Sequence, residues 1–88
     1  MSEIIVGKKP FANYQGYAII QIRDGSKKLI IKGYGKQISR AMLLYDWIKR
    51  HFPQYQKQDI DEDRSKTGYI GIKITLEAKK DDSEETEA

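Results

Sequence analysis

Between Gln37 and Pro53 the apolar residues Ile38, Ala41, Met42, Tyr45, Ile48 and Phe52 fall at i, i+3, i+4, i+7, i+10 and i+14, the spacing of one helical face. This predicts an amphipathic helix from about Gln37 to His51, stopped by Pro53, whose ring cannot continue it. A helix with one apolar stripe must lay that stripe on something. The covering surface is announced downstream, where Ile70, Ile72, Ile74 and Leu76 alternate with Tyr69, Gly71, Lys73 and Thr75, the period of a half-buried strand. With 88 residues there is room for one domain and a modest core, so a partner subunit is expected.

The remaining elements are shorter. Ile4-Ile5-Val6 reads as a strand ended by Gly7, followed by the basic turn Lys8-Lys9-Pro10. Leu29 to Lys32 is a second strand, which Gly33-Tyr34-Gly35 breaks. The segment Phe11 to Arg23 supports two readings. It carries a loose helical stripe weakened by Gly16, and Tyr17 to Ile22 before Asp24-Gly25 also fits the first arm of a hairpin. Tyr55 to Asp61 is weakly strand-like, and Glu62 to Gly68 is a charged loop holding Arg64 and Lys66. The strand from Tyr69 closes a hairpin over that loop.

Charge is distributed unevenly. The last eight residues, Asp81 to Ala88, hold five acids and no base, so residues 1–80 set all 16 basic residues against eight acids, a net of +8. The chain therefore divides into a basic domain, 1–80, and an acidic disordered tail, 81–88, with nothing to bury. Such a domain favours a polyanion. There is no cysteine, which excludes disulfides and thiolate chemistry and fits a reducing interior. No apolar run approaches the roughly 18–20 residues of a membrane span, and no signal-peptide core is evident, so a soluble, cytoplasmic chain without membrane partners is expected.

The residues offer little to a catalyst. The one histidine, His51, lies in the last helical turn, where a basic group suits the dipole, and it has no partner for acid–base work in its vicinity. Asp59, Asp61, Glu62 and Asp63 lack the glycine-bearing pattern of a calcium loop, and Gly33-Tyr34-Gly35 lacks the rest of a dinucleotide fingerprint. No enzyme activity, metal or cofactor is expected.

The basic residues are more informative by position. No Ser, Thr, Asp or Asn stands at the start of the long helix, and Lys36 and Arg40 put positive charge at the positive end of its dipole. A phosphate there would accept the free amides and neutralise both cations, although water also satisfies exposed helix ends. Lys8, Lys9 and Lys32 add cations beside turns. Tyr34 is placed to stack on a base or to cover a core edge.

These residues resemble a known family. Gly7-Lys8-Lys9-Pro10-Phe11-Ala12-Asn13-Tyr14 is similar to the Gly-Lys-Lys-Pro-x-x-Asn-Tyr opening of the Alba family of archaeal chromatin proteins. Ile31-Lys32-Gly33-Tyr34-Gly35-Lys36-Gln37-Ile38-Ser39-Arg40-Ala41 resembles that family's Ile-Lys-Ala-Arg-Gly-Arg-Ala-Ile-Ser-Lys-Ala signature. The resemblance runs from about Ile4 to Leu76. It implies an α+β fold, a two-layer β-α-β-α-β-β sandwich in which a four-stranded mixed sheet carries two helices on one face and ends in an extended C-terminal hairpin. It also implies a helix from about Pro10 to Arg23.

By the same resemblance the chain forms a homodimer that coats and compacts duplex DNA in the nucleoid with little sequence preference; the alternative is an RNA-binding role, as a ribonucleoprotein subunit or RNA chaperone. Lys8 and Lys9 would be the central phosphate contacts, Asn13 would order their loop, Lys32, Lys36 and Arg40 would flank it, and Arg64 and Lys66 would ride on the hairpin arm. Tyr34 stands where the family often has arginine, trading a phosphate clamp for an aromatic surface and pointing toward single-stranded or RNA ligands. Phe52 matches a residue of dimer–dimer contacts, or else caps the helical stripe. Acetylation of Lys8 or Lys9 would remove charge at the phosphate. A third reading is a scaffold whose basic face meets an acidic protein.

Overall fold

A computed structural model describes residues 2–78; the acidic segment 81–88 lies outside the described residues. The elements are β1 (Ser2–Ile5), α1 (Phe11–Arg23), β2 (Lys28–Tyr34), a 3-10 turn (Gly35–Gln37), α2 (Ile38–His51), β3 (Lys57–Arg64) and β4 (Ile70–Glu77). The strands form one mixed sheet in the order β1-β2-β4-β3. β1 runs parallel to β2, while β4 runs antiparallel to both β2 and β3. This is the expected α+β sandwich. Among the described residues no helix is long and apolar enough to cross a membrane.

The pleat divides each strand between two faces. On the helix side lie Leu29, Ile31 and Gly33 of β2, opposite Leu76, Ile74 and Ile72 of β4. α2 packs on β2 and β4, and α1 on β1 and α2. The core consists of Ile4, Val6, Tyr14, Ala18, Leu29, Ile31, Ala41, Leu44, Ile48, Tyr55, Ile74 and Leu76. Each fully buried aliphatic side chain among them contributes on the order of 1.5–3 kcal/mol relative to exposure. The opposite sheet face, which neither helix covers, carries Lys28, Lys32, Tyr34, Lys73 and Glu77 around a buried Ile30.

One open alternative is settled and three expectations change. Phe11–Arg23 is a helix, as the family resemblance implied, and not a hairpin arm, because Tyr14 and Ala18, one turn apart, are both buried. Pro10 precedes its first turn and Gly25, with φ of 87°, follows its end, so Asp24-Gly25 closes a helix and does not turn a hairpin. The stripe of α2 is rotated: Ala41, Leu44 and Ile48 are buried, while Met42 is exposed. β2 runs through Gly33 and Tyr34 and breaks only at Gly35, where φ is 58°. β3 continues to Arg64, leaving a turn of only Ser65 to Tyr69. As an edge strand exposed along almost its whole length, β3 shows no alternation for a sequence reading to detect.

Gly33 is a close-approach position: a Cβ there would stand 2.7 Å from both Ala41 Cβ and the Gln37 carbonyl oxygen. Gly16, in the middle of α1, has open space around it. Gly33→Ala therefore destabilises the domain by about 1–3 kcal/mol through overpacking against backbone, while Gly16→Ala stabilises it by roughly 0.5–1 kcal/mol by restricting the unfolded chain. Urea denaturation of the two variants against the parent checks both signs.

Candidate nucleic-acid interface

Strand polarity gathers the basic residues. Because β1 and β2 are parallel, the loops that follow them emerge at the same end of the sheet. β4 pairs antiparallel with β2 so that Tyr34 faces Gly71, and the β3–β4 turn therefore lies at that end too. Lys8 and Lys9 of the first loop, Lys36 of the 3-10 turn, Arg40 of the first turn of α2, and Arg64 and Lys66 of the hairpin all meet there. Neither helix has an acid in its first turn. Neither helix start therefore carries an acid of its own to offset the nearby cations; the hairpin brings Asp63 to this end, where Tyr34 engages it.

The loop carrying Lys8 and Lys9 is pinned from two elements. The Tyr14 hydroxyl accepts hydrogen bonds from the amides of Gly7 (2.8 Å) and Lys9 (3.1 Å). The Arg40 guanidinium donates to the carbonyls of Gly7 and, at 2.8 Å, Lys9, and it lies 5.7 Å from the centre of the Tyr14 ring. With its backbone held inward, the loop leaves both lysine side chains exposed. Lys9 Nζ comes within 3.4 Å of the Tyr17 hydroxyl.

Several expected roles shift accordingly. Asn13 is exposed on the first turn of α1; the contacts that order the loop come from Tyr14 and Arg40. Tyr14 was visible in the sequence as the last residue of the Gly7–Tyr14 motif and as part of a helical stripe, with no role in ordering the loop assigned to it. Arg40 compensates its charge with two carbonyl dipoles, so an anion is not needed to settle it. The start of α2 has no side-chain cap, yet the Ile38 amide already donates to the Gly35 carbonyl through the 3-10 turn. Lys36 remains exposed.

Lys32 and Tyr34 belong to the open sheet face. Lys32 Nζ pairs with Glu3 at 3.3 Å with its side chain only 20% exposed. The Tyr34 hydroxyl donates to Asp63 Oδ2 at 2.7 Å, and its ring lies against Gly71, where a Cβ would collide with it. Tyr34 thus spans β2, β4 and β3 and ties the hairpin to the sheet. Burial, followed by the Asp63 hydrogen bond, pushes the Tyr34 pKa up to about 12. The Tyr34 hydroxyl and the Arg64 amide hold the Asp63 carboxyl below its ordinary range.

His51 is exposed, with Nδ1 3.0 Å from the Trp47 carbonyl. Among the described residues no three His, Asp or Glu side chains converge as metal ligands; Asp59, Asp61 and Asp63 line one side of β3, with Asp61 opposite Lys73. Phe52 follows α2, half-buried, edge-on to the Trp47 ring at 5.7 Å and packed on the core.

The chain matches the family profile described as Alba over residues 2–64. It is 32% identical over 81 residues to the DNA/RNA-binding protein Alba of Thermoplasma acidophilum, covering 83% of this chain and 91% of that one. It is 35% identical over 52 residues to the DNA/RNA-binding protein Alba of Nanoarchaeum equitans, where the match covers 59% of this chain and 58% of the relative. Among solved structures, Alba from Thermoplasma volcanium superposes with a TM-score of 0.67 at 31% identity, covering 85% of this chain and 98% of that one.

The Tyr34–Asp63 bond has a pH signature. A raised tyrosine pKa adds stability that is fully present below the unfolded value of 10.0 and lost as pH rises through about 12. A lowered aspartate pKa adds stability above its unfolded value of 3.8 that is lost as pH falls through the folded one. Tyr34→Phe should therefore melt below the parent at neutral pH, and the gap should close both above pH 10 and in acid. Thermal melts across pH read this directly; a gap that stays constant would dissociate the hydroxyl from Asp63.

Proposed function

The chain belongs to the Alba family, and on that premise we propose that it is a nucleic-acid-binding protein, not an enzyme, that grips the sugar-phosphate backbone with the basic end of its sheet. The observation that carries this reading is the pinned loop. Lys8 and Lys9 stand exposed on a backbone ordered in advance by Tyr14 and Arg40, so little loop entropy is lost when a phosphate docks. Lys36 and Lys66 extend the grip. Arg40 acts chiefly as a positioning residue, and Lys32, paired with Glu3, as a strut.

The preferred ligand is duplex DNA, coated with little sequence preference, because lysines on turns read phosphates and not base edges. RNA is the second reading, favoured by the DNA/RNA-binding description that the relatives carry. A homodimer fits the exposed apolar residues Leu43 and Met42 on α2 and Ile60 on the helix side of β3, which one protomer leaves uncovered. The exposure of Lys8 and Lys9 would also admit acetylation as a control on affinity.

A dimer that neutralises about six phosphates loses roughly three decades of affinity between 50 and 200 mM salt. Replacing Lys8 and Lys9 together by alanine weakens binding to every sequence alike and flattens that slope. Titrations of labelled duplex over this salt range, with competing duplex DNA and RNA, check both statements. A slope near zero refutes backbone binding, and RNA competing as well as DNA or better reverses the order of ligands.

A further inference from the structure

The most exposed large apolar side chain among the described residues is Tyr69, at 66%. It sits at the basic end, in the turn between β3 and β4. Its main chain is fixed: the Tyr69 amide donates to Ser65 Oγ at 3.0 Å, its carbonyl accepts from the Ser65 amide at 2.9 Å, and the Gly68 amide closes on the Ser65 carbonyl at 3.0 Å. The aromatic ring is therefore presented to solvent on an ordered turn. Tyr69 Cδ1 lies 4.0 Å from where a Gly35 Cβ would stand, so the ring adjoins the turn that carries Lys36. Arg64 and Lys66 flank it within the same hairpin.

Tyr34, the aromatic residue of the family-like signature, is engaged elsewhere. Its hydroxyl is held by Asp63 and its ring is laid on Gly71. Two tyrosines at one end thus have opposite states, one bound into the sheet and one free.

We propose that Tyr69 is the stacking platform of the basic end, taking the face of an unpaired nucleobase whose flanking phosphates rest on Lys36, Lys66 and the Lys8–Lys9 loop. The inference rests on the proposed nucleic-acid function and deepens it by assigning the ligand class that the end discriminates. Every base has a π-face, so the platform tolerates sequence; an intact duplex keeps its base faces stacked internally and offers Tyr69 nothing of the kind. Phosphate contacts then serve both ligands, and Tyr69 serves only single strands.

The test measures binding of the full chain and its Tyr69 variants to three labelled probes at one salt concentration: a short single-stranded oligoadenylate RNA, its DNA counterpart, and a duplex DNA. Tyr69→Ala should weaken binding to single strands roughly 5- to 150-fold and leave duplex affinity unchanged. Tyr69→Phe should retain single-strand affinity, whereas Tyr69→Leu, apolar without a planar face, should not. Losses confined to the RNA arm would assign the ligand as RNA, and equal losses in both single-stranded arms would assign the base irrespective of its sugar. Single-strand binding by Tyr69→Ala equal to the parent's, or a loss of the same size on duplex, overturns the proposal. A parent that binds none of the three probes overturns the underlying function itself.

Discussion

Pairing of β2 with β1 on one side and β4 on the other is the constraint from which the rest of the molecule follows. Parallel pairing on the first side sends both β-to-α loops out at one end of the sheet, and antiparallel pairing on the second returns the hairpin turn to that end. Three basic segments far apart in sequence become neighbours as a consequence. The buried row Leu29, Ile31, Ile74 and Leu76 holds the register, because a slip of one residue would turn these apolar side chains to the open face. Gly33 completes the arrangement by letting α2 approach β2 closely.

A positively charged end is useful only if its cations project outward. Here the loop amides and carbonyls, which would otherwise compete for bound anions or water, are satisfied internally by Tyr14 and Arg40. Arg40 illustrates how a charge at the unfavourable end of a helix dipole is tolerated: its partners are two carbonyl groups of a neighbouring loop. The same contact ties the start of α2 to the loop after β1, which leads into α1. Pre-organisation of this kind favours affinity without requiring further contacts.

The open sheet face has a different character. Lys32 with Glu3, and Tyr34 with Asp63, satisfy one another across strands, and Lys28 and Lys57 both lie within 4 Å of Glu77. This mosaic has no single sign to steer a polyanion. It stabilises the hairpin, whereas the exposed lysines lie at the end of the sheet, where Tyr69 is exposed and Tyr34 is not.

How far the sequence alone reached follows from which signals are local. The α2 helix, the alternation in β4 and the basic Lys8-Lys9 turn are properties of neighbouring residues, and all were legible, as was the Alba resemblance carried by two short motifs; the glycines were read less well, since Gly16 lies inside α1 and Gly33 inside β2. α1 and β3 were not legible. Gly16 and the two tyrosines left α1 balanced between periods, and its burial against β1 and α2 decided it; β3 has no buried face of its own, and only its ladder with β4 makes it a strand. The candidate site divides in the same way. The identity of Lys8, Lys9 and Lys36 as exposed cations beside turns was written in the chain. The roles of Tyr14 as a loop pin, Arg40 as a clamp, Lys32 as a strut and Tyr34 as a tether depend on partners between 5 and 33 residues distant. Composition and periodicity fix what a segment prefers, but a hydrogen bond across the sheet exists only once the strands have chosen their neighbours.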